Sequence, residues 1–411
     1  MEDAKADCLE IGQHAGTSAV LCRLLSRLLP EDWEPGPAPI CQPAGEEGRR
    51  RGLHERTDEA ARKTLVSEDL APVLYPVGRV WRRVDQEVSG VRVLALELCP
   101  VDDSGRQVLA VHINGPSASR LARASHDPDV TEFWEVVRSE YVNGASYDKS
   151  PVRAITFLPG PKDRRLAQAY EAVTGITQSE TRAARHSLTI DRPDWSALVL
   201  RDGVGIVFHP TQDPAFGPHL RVLTHSIYLD ALLLAWIQRI LLDESGSRAV
   251  AARLDVPDEL VELERLHFDF KRRVWRRSLT HKRTAPVDEL LVALQRELLT
   301  DRDIEDVEER VQDGARLART LSQEKASHAQ DALNRLVQRA AVIIGALGLA
   351  YAAAPSVAQP SWPLFAWATV AGLVAMLIAL TVMSVLNKRV DRPSGRDETE
   401  TSRPDRTDVA P

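Results

Sequence analysis

Six carboxylates crowd nine positions at Asp301, Asp303, Glu305, Asp306, Glu308 and Glu309. Carboxylate oxygens are the ligands that Mg2+ and other divalent cations take, so Asp301, Asp303, Glu305 and Asp306 form a candidate regulatory metal site. The same run suits the first turn of a solvated helix, where negative charge complements the macrodipole. Further along, Asn334, Gln338, Ala341, Gly345, Gly348 and Ala352 recur at spacings of 4, 3, 4, 3 and 4, a narrow stripe of small or amide side chains. In a ring of helices that stripe would line a water-filled axis with Asn334 and Gln338 at its mouth; in a helix pair it would let two backbones approach. Between Arg265 and Arg283, basic side chains such as Lys271, Arg273 and Arg276 interleave with Phe268, Phe270 and Trp275. That composition fits anionic lipid headgroups or an acidic partner, and equally a charged helix face packed by its aromatics. Histidines 209, 219, 225, 267 and 281 are scattered, and no HExxH, GxSxG, Walker or Rossmann pattern occurs. No catalytic residue is assigned, Asp202-Gly203 reads as a turn, and the chain is not expected to be an enzyme.

Elements must hold these residues in place. The apolar positions Val20, Leu21, Leu24, Leu25, Leu28 and Leu29 predict a helix over Ala6–Leu29, and the prolines at 30, 35, 37, 39 and 43 a linker after it. Val91–Leu98 and Val108–Ile113 read as a hairpin about Asp102–Gly105, and Ser196–Leu200 and Val204–Phe208 as another about Arg201-Asp202-Gly203. Arg153–Leu158 is a further apolar run; Val130–Tyr141 and Lys162–Val173 look helical. From Leu220 onward helical periodicity dominates, over Leu220–Asp243, Pro257–Trp275 and Val287–Leu299. Thr300 stands as an N-cap before a long helix whose Ile304, Val307, Val311, Gly314, Ala318 and Leu321 form a packing seam. Four cysteines without metal-ligand spacing suggest reduced thiols in the cytosol, and a net charge of −7 argues against a general nucleic-acid binder.

The sharpest feature is a block without Asp, Glu, Lys or Arg from Ala340 to Asn387. Ala340–Ala358 and Pro363–Leu386 are each long enough to cross about 30 Å of hydrocarbon. Arg335 and Arg339 precede the first span; Lys388, Arg389 and Arg392 follow the second. This charge bias keeps both termini in the cytoplasm, and Trp362 and Trp367 suit the outer interface. The tail after Asp391 is too polar to bury a core and is expected to be disordered. The fold class expected is an α+β cytosolic domain, a long-helix stalk and a C-terminal two-helix transmembrane hairpin. Its parts are an N-terminal helix and linker (1–64), the α/β domain (65–218), the helical stalk region (219–339), the hairpin (340–387) and the tail (388–411).

This order of parts resembles the CorA-type divalent-cation transporter family over about Ser196–Arg389. The likeness is carried by Tyr228-Leu229-Asp230-Ala231-Leu232-Leu233-Leu234, by the long helix through Ala332-Leu333-Asn334-Arg335-Leu336, and by the paired spans. The resemblance implies a homo-oligomer, a pentamer in that family, whose long first-span helices surround a central ion path in the inner (plasma) membrane. It implies a cation channel or transporter gated by the cytosolic domain, with the lipid bilayer as partner. The family's Tyr-Gly-Met-Asn signature falls at Tyr351-Ala352-Ala353-Ala354, which keeps the tyrosine alone. Three alanines offer no side-chain oxygen to a hydrated Mg2+. The chain is also similar to divergent CorA-like membrane proteins of bacterial conflict systems. That likeness implies the alternative of a membrane-anchored sensor or effector of a defence system, with a conflict-system protein partner and no Mg2+-selective transport.

Overall fold

Nine strands form one mixed sheet in the computed structural model, which describes residues 9–10, 16–26, 33–41, 56–102, 105–115, 117–126, 131–142, 146–148, 151–176, 188–209, 216–251, 256–280, 285–298, 301–353 and 370. Two short strands, β1 (Leu9–Glu10) and β4 (Ile40–Cys41), join β5 (Arg56–Thr57) in a separate small sheet. The large sheet contains β2 (Thr17–Leu25), β3 (Glu34–Pro35), β6 (Val80–Val88), β7 (Val91–Pro100) and β8 (Gln107–Gly115). It is completed by β9 (Arg153–Pro159), β10 (Leu188–Asp191), β11 (Trp195–Leu200) and β12 (Gly203–Phe208). Their order is β10-β11-β12-β9-β2-β8-β7-β6-β3. Neighbours run antiparallel except β9 and β12, whose parallel pairing requires a crossover.

Helices cover both faces. Along the chain they are α1 (Glu59–Leu65), α2 (Ala71–Leu74), α3 (Ala118–His126), α4 (Thr131–Val136) and α5 (Lys162–Thr174). Then come α6 (Phe216–Thr224), α7 (Ile227–Ala251), α8 (Pro257–Asp269), α9 (Pro286–Leu298) and α10 (Asp301–Ala353). The expected strands of 91–98, 108–113, 153–158, 196–200 and 204–208 are all present, and so are the helices over 162–173, 257–275 and 287–298. One π-helical turn follows α4 and another follows α8.

The Ala6–Leu29 segment departs from expectation. Residues 17–25 are a strand at the heart of the sheet, paired with β8 on one side and β9 on the other. Val20, Cys22 and Leu24 join the core beneath α7, while Ala19, Leu21 and Leu25 join the core beneath α3 and α5. A strand buried on both faces is apolar without alternation, and periodicity alone does not separate it from a helix. The proline-rich stretch is not all linker either: Ala38 and Ile40 are fully buried. Cys41 is disulfide-bonded, which corrects the expectation of four reduced thiols; Cys22 and Cys99 are free and buried.

Contacts divide the chain into two compact units, Met1–Ala318 and Arg319–Pro411. In the first, 216–251 is the one stretch among the described residues long and apolar enough to cross a membrane, and its most apolar window is 94% buried. Burial on every side explains why α7 shows no polar stripe. The seam Ile304, Val307, Val311, Gly314 and Ala318 packs inward as expected: Val307 faces Gly246 of α7, and Gly314 faces Leu260 of α8. In the second unit, α10 continues with positions 322–341 exposed around the helix, including Leu333, Leu336 and Val337. Residues 354–369 and 371–411 are outside the described set, so the second span, the connecting loop and the tail fall there.

Candidate functional site

The acidic run divides between partners. Asp303 accepts from Arg239 Nη1 at 2.8 Å, and Glu308 accepts from Lys271 Nζ at 2.8 Å. The hydrogen bond from Lys271 holds the Glu308 carboxyl below its ordinary range. Glu305 and Asp306 are exposed, Asp301 begins α10, and among the described residues no three or more His, Cys, Asp or Glu converge as a metal set. The stripe residues Asn334, Gln338, Ala341 and Gly345 share the exposed part of α10, and a Cβ on Gly345 would meet nothing within 4 Å. Gly348, Tyr351, Ala352 and Ala353 continue that helix, while Ala354 is outside the described residues.

Two arginine-rich sites that sequence patterns did not reveal flank α7. The first is closed. Asp230 of α7 accepts from Arg62 (Nε 3.0 Å, Nη2 2.7 Å), from Arg79 Nη2 (3.0 Å) and from the Tyr75 hydroxyl (2.7 Å). Glu97 of β7 accepts from Arg79 Nε at 2.6 Å and from the Ala38 amide at 3.1 Å. Arg62 and Asp230 are fully buried, and Arg79 and Glu97 are each 1% exposed. Burial alone would raise the Glu97 carboxyl, but Arg79 and Arg62 outweigh it and hold it well below the carboxylate range. A polar chain leads onward: Glu97 Oε2 is 3.5 Å from His112 Nε2, His112 Nδ1 is 3.2 Å from His225 Nδ1, and His225 Nε2 is 2.9 Å from Ser18 Oγ. Burial, and then His112 and Arg221, push the His225 imidazole well down, so it is neutral. Ser18, His112 and His225 are all fully buried, so this serine has no route to a substrate and the chain of groups ties β2, β7 and β8 to α7.

The second is a solvent-open cleft of about 720 Å³ at the start of β9 and the β11–β12 turn, walled by α7. Four arginines (106, 153, 201, 239) and four carboxylates (148, 202, 243, 244) line it. Arg106 is bound to Asp102 and Glu244, and Arg239 to Asp243 at 2.8 Å and Asp303. Arg239 also donates to the Leu298 carbonyl at the end of α9, 3.1 Å away, so one side chain joins the cleft wall to the start of α10. Arg153 is 7% exposed, and its guanidinium stacks 5.3 Å from the Trp236 ring centre. Its Nη1 donates to the Arg201 carbonyl, while Nε is buried with no acceptor among the described residues. Burial lowers its pKa to about 10, opposed by the nearby charge of Asp202. Gly203 closes the turn with φ +145°, and a Cβ there would collide with the Ala154 carbonyl. The Arg201-Asp202-Gly203 turn is thus where expected, and no local pattern placed Arg153 beside it. Comparison with protein-family profiles, with curated proteins and with solved structures returns no match.

Proposed function

We propose that this chain is an oligomeric, CorA-like membrane protein that passes cations through a path controlled by its α/β unit. The observation that carries the reading is α10. It is one helix of 53 residues whose first turns are rooted among α7 and α8 and whose sequence runs on into a block without charge. The stretch 322–341 is exposed around its circumference and shows Leu333, Leu336 and Val337 to solvent, apolar surface that partner chains of the same kind would cover. The stripe from Asn334 to Ala352 then faces the axis of the assembly, and both termini stay in the cytoplasm. Arg239 supplies a physical link, because it touches the cleft and the root of α10 together. Purified protein in liposomes should release K+ or Mg2+, and Gly345→Leu should cut that flux at least tenfold, since Gly345 now carries no side chain. Absence of flux from wild type, or unchanged flux from Gly345→Leu, counts against transport.

The alanines at 352, 353 and 354 favour a second reading. Without a side-chain oxygen at the outer mouth, the protein would not select hydrated Mg2+ and would act as a membrane-anchored effector of a conflict system. Equal K+ and Mg2+ flux, with cell depolarisation that a chain ending at Arg339 does not produce, is the outcome expected of that reading.

A further inference from the structure

We infer that the cleft beside Arg153 binds a phosphorylated small molecule, with its phosphate on Arg153 and Arg201 and its hydroxyl or amino groups on Asp148 and Asp202. The argument begins with what the lining has already committed. Arg106 and Arg239 are satisfied by Asp102, Glu244, Asp243 and Asp303. That leaves Arg153 and Arg201 without a carboxylate hydrogen bond among the described residues, and Asp148 and Asp202 without a side-chain donor. Arg153 is the decisive member, being more than nine-tenths buried with its Nε lacking an acceptor. A buried guanidinium N–H left unpaired is costly, and such groups are normally satisfied by protein, water or ligand.

The chemistry of the missing partner follows. A guanidinium presents a planar fork that matches phosphate oxygens two at a time. A phosphate monoester carries a charge between about −1.5 and −2 near neutral pH and several acceptor oxygens, enough to serve Arg153 and Arg201 together, which a single carboxylate does less well. Asp148 and Asp202 line the same cleft and offer acceptors to hydroxyl or amino groups carried by the same molecule. A volume of about 720 Å³ is the size of a metabolite site, larger than one anion needs. Leu24, Pro151 and Ile240 supply apolar wall to the same cleft. The site goes beyond the membrane reading and does not depend on it, since binding is measured without flux.

Isothermal titration of the full-length protein in detergent tests the inference, with ribose 5-phosphate, ATP, inorganic phosphate, adenosine and glutamate as probes. Ribose 5-phosphate or ATP should bind and adenosine should not. Inorganic phosphate should bind at least tenfold more weakly than the better ester, because it carries no sugar hydroxyl or amino group for Asp148 and Asp202; equal affinity overturns the role given to the aspartates. Arg153→Met should weaken the ester about tenfold or more, the loss of one charge-assisted contact. Arg201→Ala, an exposed turn position that folding tolerates, should weaken it at least fivefold. Failure of both esters to bind at millimolar concentration, preference for glutamate, or unchanged affinity in Arg201→Ala would each overturn the proposal.

Discussion

The two arginine-rich regions on either side of α7 contain the same residue types and differ in closure. Around Asp230, two guanidinium groups meet two carboxylates, a phenol and backbone carbonyls, and every charged member is at most 1% exposed. Around Arg153, four arginines meet four carboxylates in the open, and the pairing is incomplete. The first arrangement leaves nothing for a ligand to satisfy. It fixes α1, the Tyr75–Arg79 segment and β7 against α7. The second keeps a buried donor waiting beside solvent. Equal counts of opposite charge therefore do not define a site; the distribution of unmet hydrogen bonds does.

The sharpest way to break this comparison is to remove Asp230. Asp230→Ala leaves Arg62 and Arg79 buried beside each other with one carboxylate between them, and removing one partner of a buried pair costs about 3–5 kcal/mol. For a unit of this size the melting temperature of the full-length protein in detergent should fall by roughly 5–15 °C. The same measurement on Arg153→Met should show a small change. A melting temperature that barely moves in Asp230→Ala would mean that water reaches the network and that it is not closed.

Acid should separate the two regions less strongly. His225 is neutral in the folded chain because burial holds its pKa down, faced by His112, Ser18 and Arg221. The unfolded histidine takes up a proton near pH 6.5. Stability from this group is therefore complete above about pH 6.5 and is lost as pH falls below it, with a slope approaching about 1.4 kcal/mol per pH unit. Glu97 acts lower: its depressed carboxyl contributes fully above about pH 4.3 and less as pH falls further. Melting temperatures between pH 8 and pH 5 should decline in wild type and be flatter in His225→Gln. A flat wild-type profile would show that His225 titrates alike in both states.

Much of the sheet was legible because its hairpins announce themselves. Arg201-Asp202-Gly203 between two apolar runs gave β11 and β12, and the seam from Ile304 to Ala318 gave the inward face of α10. The central strand β2 was hidden, since a strand buried on both faces carries no period of two and its leucines mimic a helix. The two charged regions were hidden for a different reason. Arg62, Arg79, Glu97 and Asp230 are spread over 169 positions of sequence, the residues of the cleft lie scattered between Leu24 and Ser247, and neither group has a local spacing to read. The one available signal was a charged residue inside an apolar run: Glu97 within Val91–Cys99 and Asp230 within Tyr228–Leu234. Each is a buried charge that must find an opposite partner.

The smallest expected effect sharpens the comparison most. Arg201 is exposed at a turn, bonds through its carbonyl to Arg153, and makes no side-chain hydrogen bond among the described residues. Its guanidinium therefore contributes little to folding, and Arg201→Ala should move stability by no more than about 0.5 kcal/mol, within the range of ordinary surface substitutions. The backbone carbonyl survives the substitution, so Arg153 keeps its Nη1 acceptor. A residue that is idle in the empty fold but whose loss weakens a phosphate ester has its role in binding alone. If Arg201→Ala instead lowered the melting temperature as much as Asp230→Ala does, the cleft would be a second structural network, and the contrast between the two sides of α7 would disappear.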